Sequence, residues 1–149
     1  MKAITMWQPW ATWVELGFKT IETRTHARFM SLAGQRIAIH AGKHYDNDAR
    51  KLAAPYLTPG MVKMTNIIGG LVGFTHGQIV AVVTVTASRV LTAADSQASL
   101  IDASGRYGLV LADRIRLGRP VATRGQMGIW ELSEEAEREV LAQLEAGAR

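Results

Sequence analysis

Residues 79–86 constrain the fold more than any other stretch of the chain. Ile79-Val80-Ala81-Val82-Val83-Thr84-Val85-Thr86 consists almost wholly of β-forming residues. So continuous an apolar run predicts a central strand over residues 78–89, covered on both faces. Shorter alternating patterns predict further strands at 2–6, 19–24, 36–41, 107–112 (reaching toward 117) and 128–132. Between them, residues 9–17 open with Pro9 and end on Gly17, the punctuation of a short helix. Residues 46–52 suit a modest helix, 61–74 a short helix and then a glycine-rich loop, and Gly118-Arg119-Pro120 a turn. Ser133 is placed to cap a last helix, with Glu135 and Glu137 in its first turns and Val140, Leu141 and Leu144 as its apolar stripe.

These strands do not alternate with long helices, which disfavours a doubly wound sheet. The expectation is an α+β protein: a small β-barrel of five to six strands with peripheral short helices, closure of which would remove exposed strand edges. A chain of 149 residues fits one domain. Its barrel would occupy residues 1–132, and an acidic amphipathic helix at 133–149 would pack on or beside it.

Several function classes drop out. Cysteine is absent, which removes thiol catalysis, disulfide frameworks and thiolate metal sites. His26, His40, His44 and His76 have no metal-ligand spacing, and no metal or other cofactor is expected. Gly69, Gly70 and Gly73 lack phosphate-loop spacing and a following Lys, and no Gly-x-Ser-x-Gly elbow occurs. Residues 1–10 lack a signal-peptide pattern, and glycines break the weakly polar stretch at 67–85. A cytoplasmic protein without membrane contact is the expectation.

Charge points to a partner. The net charge is +4, but residues 1–130 hold 15 basic against 7 acidic side chains, while the remainder is acidic. A basic body of this kind suits either a polyanion or an Arg-rich surface of ordinary salt bridges.

The densest chemistry lies in Gly17-Phe18-Lys19-Thr20-Ile21-Glu22-Thr23-Arg24, a Gly-x-Lys-x-x-Glu-x-Arg pattern. In a strand, Glu22 and Arg24 share a face, and Lys19 at the strand mouth can enter the same cleft. A Lys beside a carboxylate can place a proton, and Arg can neutralise a phosphate oxygen. The same triplet also reads as a structural ion-pair network bracing the helix.

With Trp7-Gln8-Pro9-Trp10-Ala11 before it, Ile37-Ala38-Ile39-His40-Ala41 after it, and Tyr107-Gly108-Leu109-Val110-Leu111 and Gly128-Ile129-Trp130-Glu131 further on, the pattern resembles the ASCH domain family, whose fold is similar to the PUA barrel. The resemblance spans most of residues 2–132. It implies association with RNA. Some small members are nucleases acting on RNA or amidohydrolases acting on acetylated cytidine, which would make Lys19 catalytic. The amidohydrolases carry Thr where this chain has Glu22, so their reaction does not transfer intact; their remaining acid has no assigned counterpart here, Asp95 matching it by region only.

Other candidates extend the site. Trp7 can stack on a base, and Gln8 can read a base edge through its amide. Trp10 and Trp13 suit a core better than a platform. His40 and Lys43 sit near a strand end, and Arg106, Arg114, Arg116 and Arg124 form a basic rim able to hold phosphates. In a catalytic version Lys19 or Arg24 would stabilise charge, and Glu22, Tyr107 or His40 would act as base. Three readings stay open: an RNA- or nucleotide-binding module, a metal-independent hydrolase of RNA or of an acylated nucleoside, and a basic surface for an acidic protein. The final helix could also cover the cleft or support a homodimer.

Overall fold

The apolar run forms the middle of one six-stranded sheet. The computed structural model describes residues 1–147, and its strands are β1 (Lys2–Gln8), β2 (Ile21–Arg24), β3 (Arg36–Tyr45), β4 (Gln78–Val90), β5 (Tyr107–Ala122) and β6 (Ile129–Glu131). Helices α1 (Trp10–Glu15), α2 (Ala49–Ala53), α3 (Pro59–Ile67), α4 (Ser96–Ser99) and α5 (Glu134–Gly147) lie in the connections and at the end. The strand order is β2-β5-β4-β3-β1-β6, with β1 and β3 parallel and every other pair antiparallel.

Successive side chains of β4 feed two cores, as an apolar strand covered on both faces must. Val80, Val83 and Val85 join Ile4, Val14, Phe29, Leu32, Ile37 and Ile39 on one side. Ile79 and Val82 join Ala38, Leu117, Val121, Trp130, Val140 and Leu144 on the other.

The expected barrel is not closed. β2 pairs only with β5, β6 pairs only with β1, and the two end strands, four and three residues long, do not meet. Bulges along β4 and β5 curve the sheet. The seam between β2 and the later residues of β1, Thr5 to Trp7, is a hollow lined by Lys19, Glu22 and Arg24 and not a ladder. Charges there need water or partners more than a paired backbone allows.

Other differences are local. The turn expected at residues 118–120 is an excursion inside β5: Ile79 pairs with Val121 but Ala81 already pairs with Arg116. Pro120 is tolerated because it falls in this unpaired bulge. Gln143 of α5 secures it, donating to the Arg119 carbonyl at 2.8 Å and accepting from the Arg119 N–H at 2.9 Å. The glycine-rich loop expected after α3 continues as a π-helical turn, Ile68–Val72.

Ser133 caps α5 by accepting from the Ala136 N–H at 3.2 Å. The helix lays Val140 and Leu144 against its own sheet and leaves Leu141 of the stripe 40% exposed. The surface suggested for a homodimer is therefore largely used within the chain. Ala148 and Arg149, the end of the expected 133–149 helix, lie outside the described residues. Among the described residues no helix is long and apolar enough to cross a membrane.

Candidate functional site

Local sequence places Lys19. Gln8 Oε1 accepts from the Thr12 N–H at 3.0 Å, satisfying a free donor at the start of α1. At the other end Gly17 adopts φ +80°, a left-handed conformation that glycine takes without strain. The N–H groups of Phe18 and Lys19 then both donate to the Trp13 carbonyl, at 2.8 and 3.0 Å. This reversal folds Lys19 back along α1, with Nζ 5.1 Å from the centre of a Trp10 ring.

Lys19, Glu22 and Arg24 converge. Lys19 Nζ donates to the Ser99 carbonyl at 2.6 Å and lies 3.8 Å from Glu22 Oε1. Glu22 Oε1 also accepts from the Thr23 N–H at 2.7 Å, and Oε2 lies 3.4 Å from an Arg24 terminal nitrogen. The Arg24 guanidinium sits over the Phe29 ring at 4.4 Å, and its Nε is buried without a partner among the described residues. Burial lowers the Lys19 ammonium from 10.5 to about 8: Glu22 opposes the shift, while Arg24 and Arg106 reinforce it. Lys19 is thus mostly a cation at neutral pH and reaches the boundary with the free amine at mildly basic pH.

Two hollows open at the seam. The smaller, about 330 Å³, is lined by Trp7, Trp10, Lys19, Glu22, Arg24 and Arg106, with Asp46 at its wall. The larger is a groove of about 1210 Å³ past Arg24, Arg28, Lys43 and Arg124, with the loop from Thr123 to Gly128 as its other wall. Thr5, Trp7 and Arg24 line both. Charge separates them. The hollow mixes cations with two carboxylates, whereas no Asp or Glu lines the groove. Arg28, Lys43 and Arg124 have no ion-pair partner among the described residues.

The remaining candidates divide. Trp7 is 53% exposed and packs on His44 with ring centres 3.9 Å apart, a platform at the ridge between the hollows. Gln8 is fully buried, and its amide donates to the Thr75 carbonyl at 2.7 Å besides accepting from Thr12. Both ends are occupied, which withdraws it from base reading.

His40 is held on both nitrogens, by Thr5 Oγ1 at 3.2 Å and the Thr123 carbonyl at 2.9 Å. Thr5 Oγ1 in turn accepts from Trp130 Nε1. Burial pushes the His40 pKa down, with the Thr123 carbonyl opposing the shift. A neutral His40 with both nitrogens engaged fixes the groove wall and is poorly placed as a base.

Arg106 reaches the hollow, its Nε donating to the Asp102 carbonyl at 3.1 Å. Tyr107 stands opposite Arg24 in the β2–β5 ladder but lines neither hollow. Arg114 donates to the Glu15 carbonyl at 2.6 Å and Arg116 to the Glu15 carboxylate at 2.7 Å. Both clamp the end of α1 and lie outside the lining. Asp95 is bound to Arg89 by two hydrogen bonds of 2.7 and 2.8 Å, also away from the seam.

Two residues that pattern reading passed over also line these hollows. Asp46 Oδ2 accepts from Trp10 Nε1 at 2.8 Å, fixing the ring under Lys19. Arg28 follows His26, whose ring accepts from the Arg28 N–H and caps the turn Ala27–Leu32. The His-x-Arg step after the motif was the available signal for Arg28; Asp46 offered none, since its partner lies 36 residues away.

No protein-family model and no curated protein matches the chain. Among solved structures, ASCH from Zymomonas mobilis superposes with a TM-score of 0.58 at 13% identity, covering 95% of this chain and 93% of that one. Two point-mutant structures of the same protein give 0.56 and 0.54 at 12% identity, each covering 95% of this chain and 94% and 96% of theirs. At this identity the likeness is one of fold alone: the chain is folded like the Zymomonas mobilis ASCH protein.

Proposed function

We propose that this chain binds single-stranded RNA across the open seam, with phosphates along the groove and one nucleotide in the hollow. The carrying observation is the division of charge: a groove lined by four cations and no carboxylate leads past an exposed Trp into a small hollow of mixed charge. A polyanion is attracted more strongly by the first than by the second, while a base offers both donors and acceptors to the second. Trp7 on the ridge gives a π-face to a neighbouring base. A base inside a duplex cannot enter such a hollow, so the reading requires unpaired strand. The ASCH-like fold supports nucleic acid as the partner.

The test is a comparison of one RNA sequence as a free strand and annealed to its complement. The single strand should bind more tightly by at least about tenfold. Equal affinity for both would reduce the site to a nonspecific cationic surface.

A second reading rests on Lys19 itself. An amine brought down to about 8, beside Glu22 in a partly enclosed hollow, suits proton transfer. In RNA cleavage the 2′-oxygen would attack phosphorus as its proton passes to that amine, Arg24 would stabilise the charge on phosphorus, and the bond to the 5′-oxygen would break as that oxygen takes a proton from water. In deacylation of a nucleoside, Lys19 and Glu22 would manage the protons of an attacking water. Cleavage of RNA but not DNA, or release of a carboxylic acid from an acylated nucleoside, lost in a folded Lys19→Met protein, identifies either reaction.

A further inference from the structure

The order of polar atoms across the hollow carries more than charge. Glu22 presents a carboxylate whose two oxygens look toward different cations: Oε1 toward Lys19 at 3.8 Å and Oε2 toward Arg24 at 3.4 Å. Lys19 gives one hydrogen bond to the Ser99 carbonyl and, 3.8 Å being beyond hydrogen-bond range, keeps two N–H groups free. Oε1 takes one short bond from the Thr23 N–H and keeps a second lone pair. Arg24 holds Oε2 only at the long end of the range and leaves further N–H groups unengaged. Across the site the sequence is therefore donor, acceptor, donor. Trp7 and Trp10 bound the same hollow, whose 330 Å³ suits one small planar ring system.

We infer that the hollow selects a pyrimidine with an imide edge, uracil in RNA, read by Lys19, Glu22 and Arg24. Uracil presents acceptor, donor, acceptor in O2, N3–H and O4, the complement of this order. Cytosine sets its N3 lone pair against the Glu22 carboxylate. Adenine likewise offers a lone pair at N1, and guanine places a second donor where Arg24 or Lys19 also donates. A site built to accept a proton from the ligand rejects one that has none there, because a buried acceptor is left facing a lone pair. The inference rests on the proposed RNA-binding reading and names the base that reading leaves open.

The test uses the full chain and short single-stranded probes of equal length: oligouridine, oligocytidine, oligoadenosine, and oligouridine methylated at N3. Oligouridine should bind about tenfold or more tightly than the others, the discrimination of one well-placed polar contact. N3 methylation should erase that advantage, with no change to the protein and so no question of misfolding. Glu22→Gln, whose amide can also donate, should narrow the uridine-to-cytidine ratio. Equal, salt-sensitive binding of all four probes would overturn the inference and leave the phosphate groove standing. Absence of binding to any probe would overturn both.

Discussion

Lys19 Nζ lies 3.8 Å from Glu22 Oε1, near enough for attraction but too far for a hydrogen bond. The ion pair therefore does not seal itself, and burial dominates the Lys19 proton, bringing its pKa to about 8 from 10.5. Between those values the unfolded chain holds a proton that the folded chain has released, so stability rises with pH across the window. The contribution is complete above 10.5 and is lost as pH falls through about 8. Urea midpoints of the wild type minus those of Lys19→Met should climb over this range. RNA affinity of the wild type should fall as pH rises through about 8, where the cation is lost, and that of Lys19→Met should stay flat.

Trp7 is half exposed and carries no fold-defining hydrogen bond, so its removal separates binding from stability. Trp7→Ala should weaken single-stranded RNA binding by about 1–3 kcal/mol, while thermal stability changes by no more than about 0.5 kcal/mol. Titration and thermal melting of the same preparation check both.

Arg114 and Arg116 make the opposite case. Both engage Glu15 at the end of α1, so the double Ala variant should lose roughly 1–2 kcal/mol of stability and bind RNA as the wild type does. Weakened RNA binding in a folded double variant would restore them to the interface.

How much of this was legible in the sequence depends on the range of the forces involved. The Gly17–Arg24 motif could be read because its geometry is local: one left-handed glycine and the strand period place Glu22 and Arg24 side by side. The covered central strand followed from an unbroken β-forming run. The barrel did not survive, because closure depends on whether β2 and β6 meet, and no local pattern reports that. Gln8 looked like a base reader; its buried partners Thr75 and Thr12 decided otherwise. Arg114 and Arg116 looked like a phosphate rim until the fold set them against Glu15, some hundred positions earlier.

Gly125 tests the groove wall without altering charge. A Cβ there would stand 2.6 Å from His40 Nδ1 and 2.9 Å from Thr5 Oγ1, and His40 is held from both sides. Gly125→Ala should cost about 1–3 kcal/mol and displace the loop from Thr123 to Gly128, weakening RNA binding. Chemical denaturation and binding should shift together.

The most direct measurement is the salt dependence of single-stranded RNA affinity in the wild type and in the triple variant Arg28→Ala, Lys43→Ala, Arg124→Ala. Each phosphate contact contributes about 0.7 to the slope of log affinity against log salt for a single strand, so removing three cations should lower the slope by about 2. A slope unchanged by the triple substitution would show that the groove does not carry the phosphates, contradicting the account.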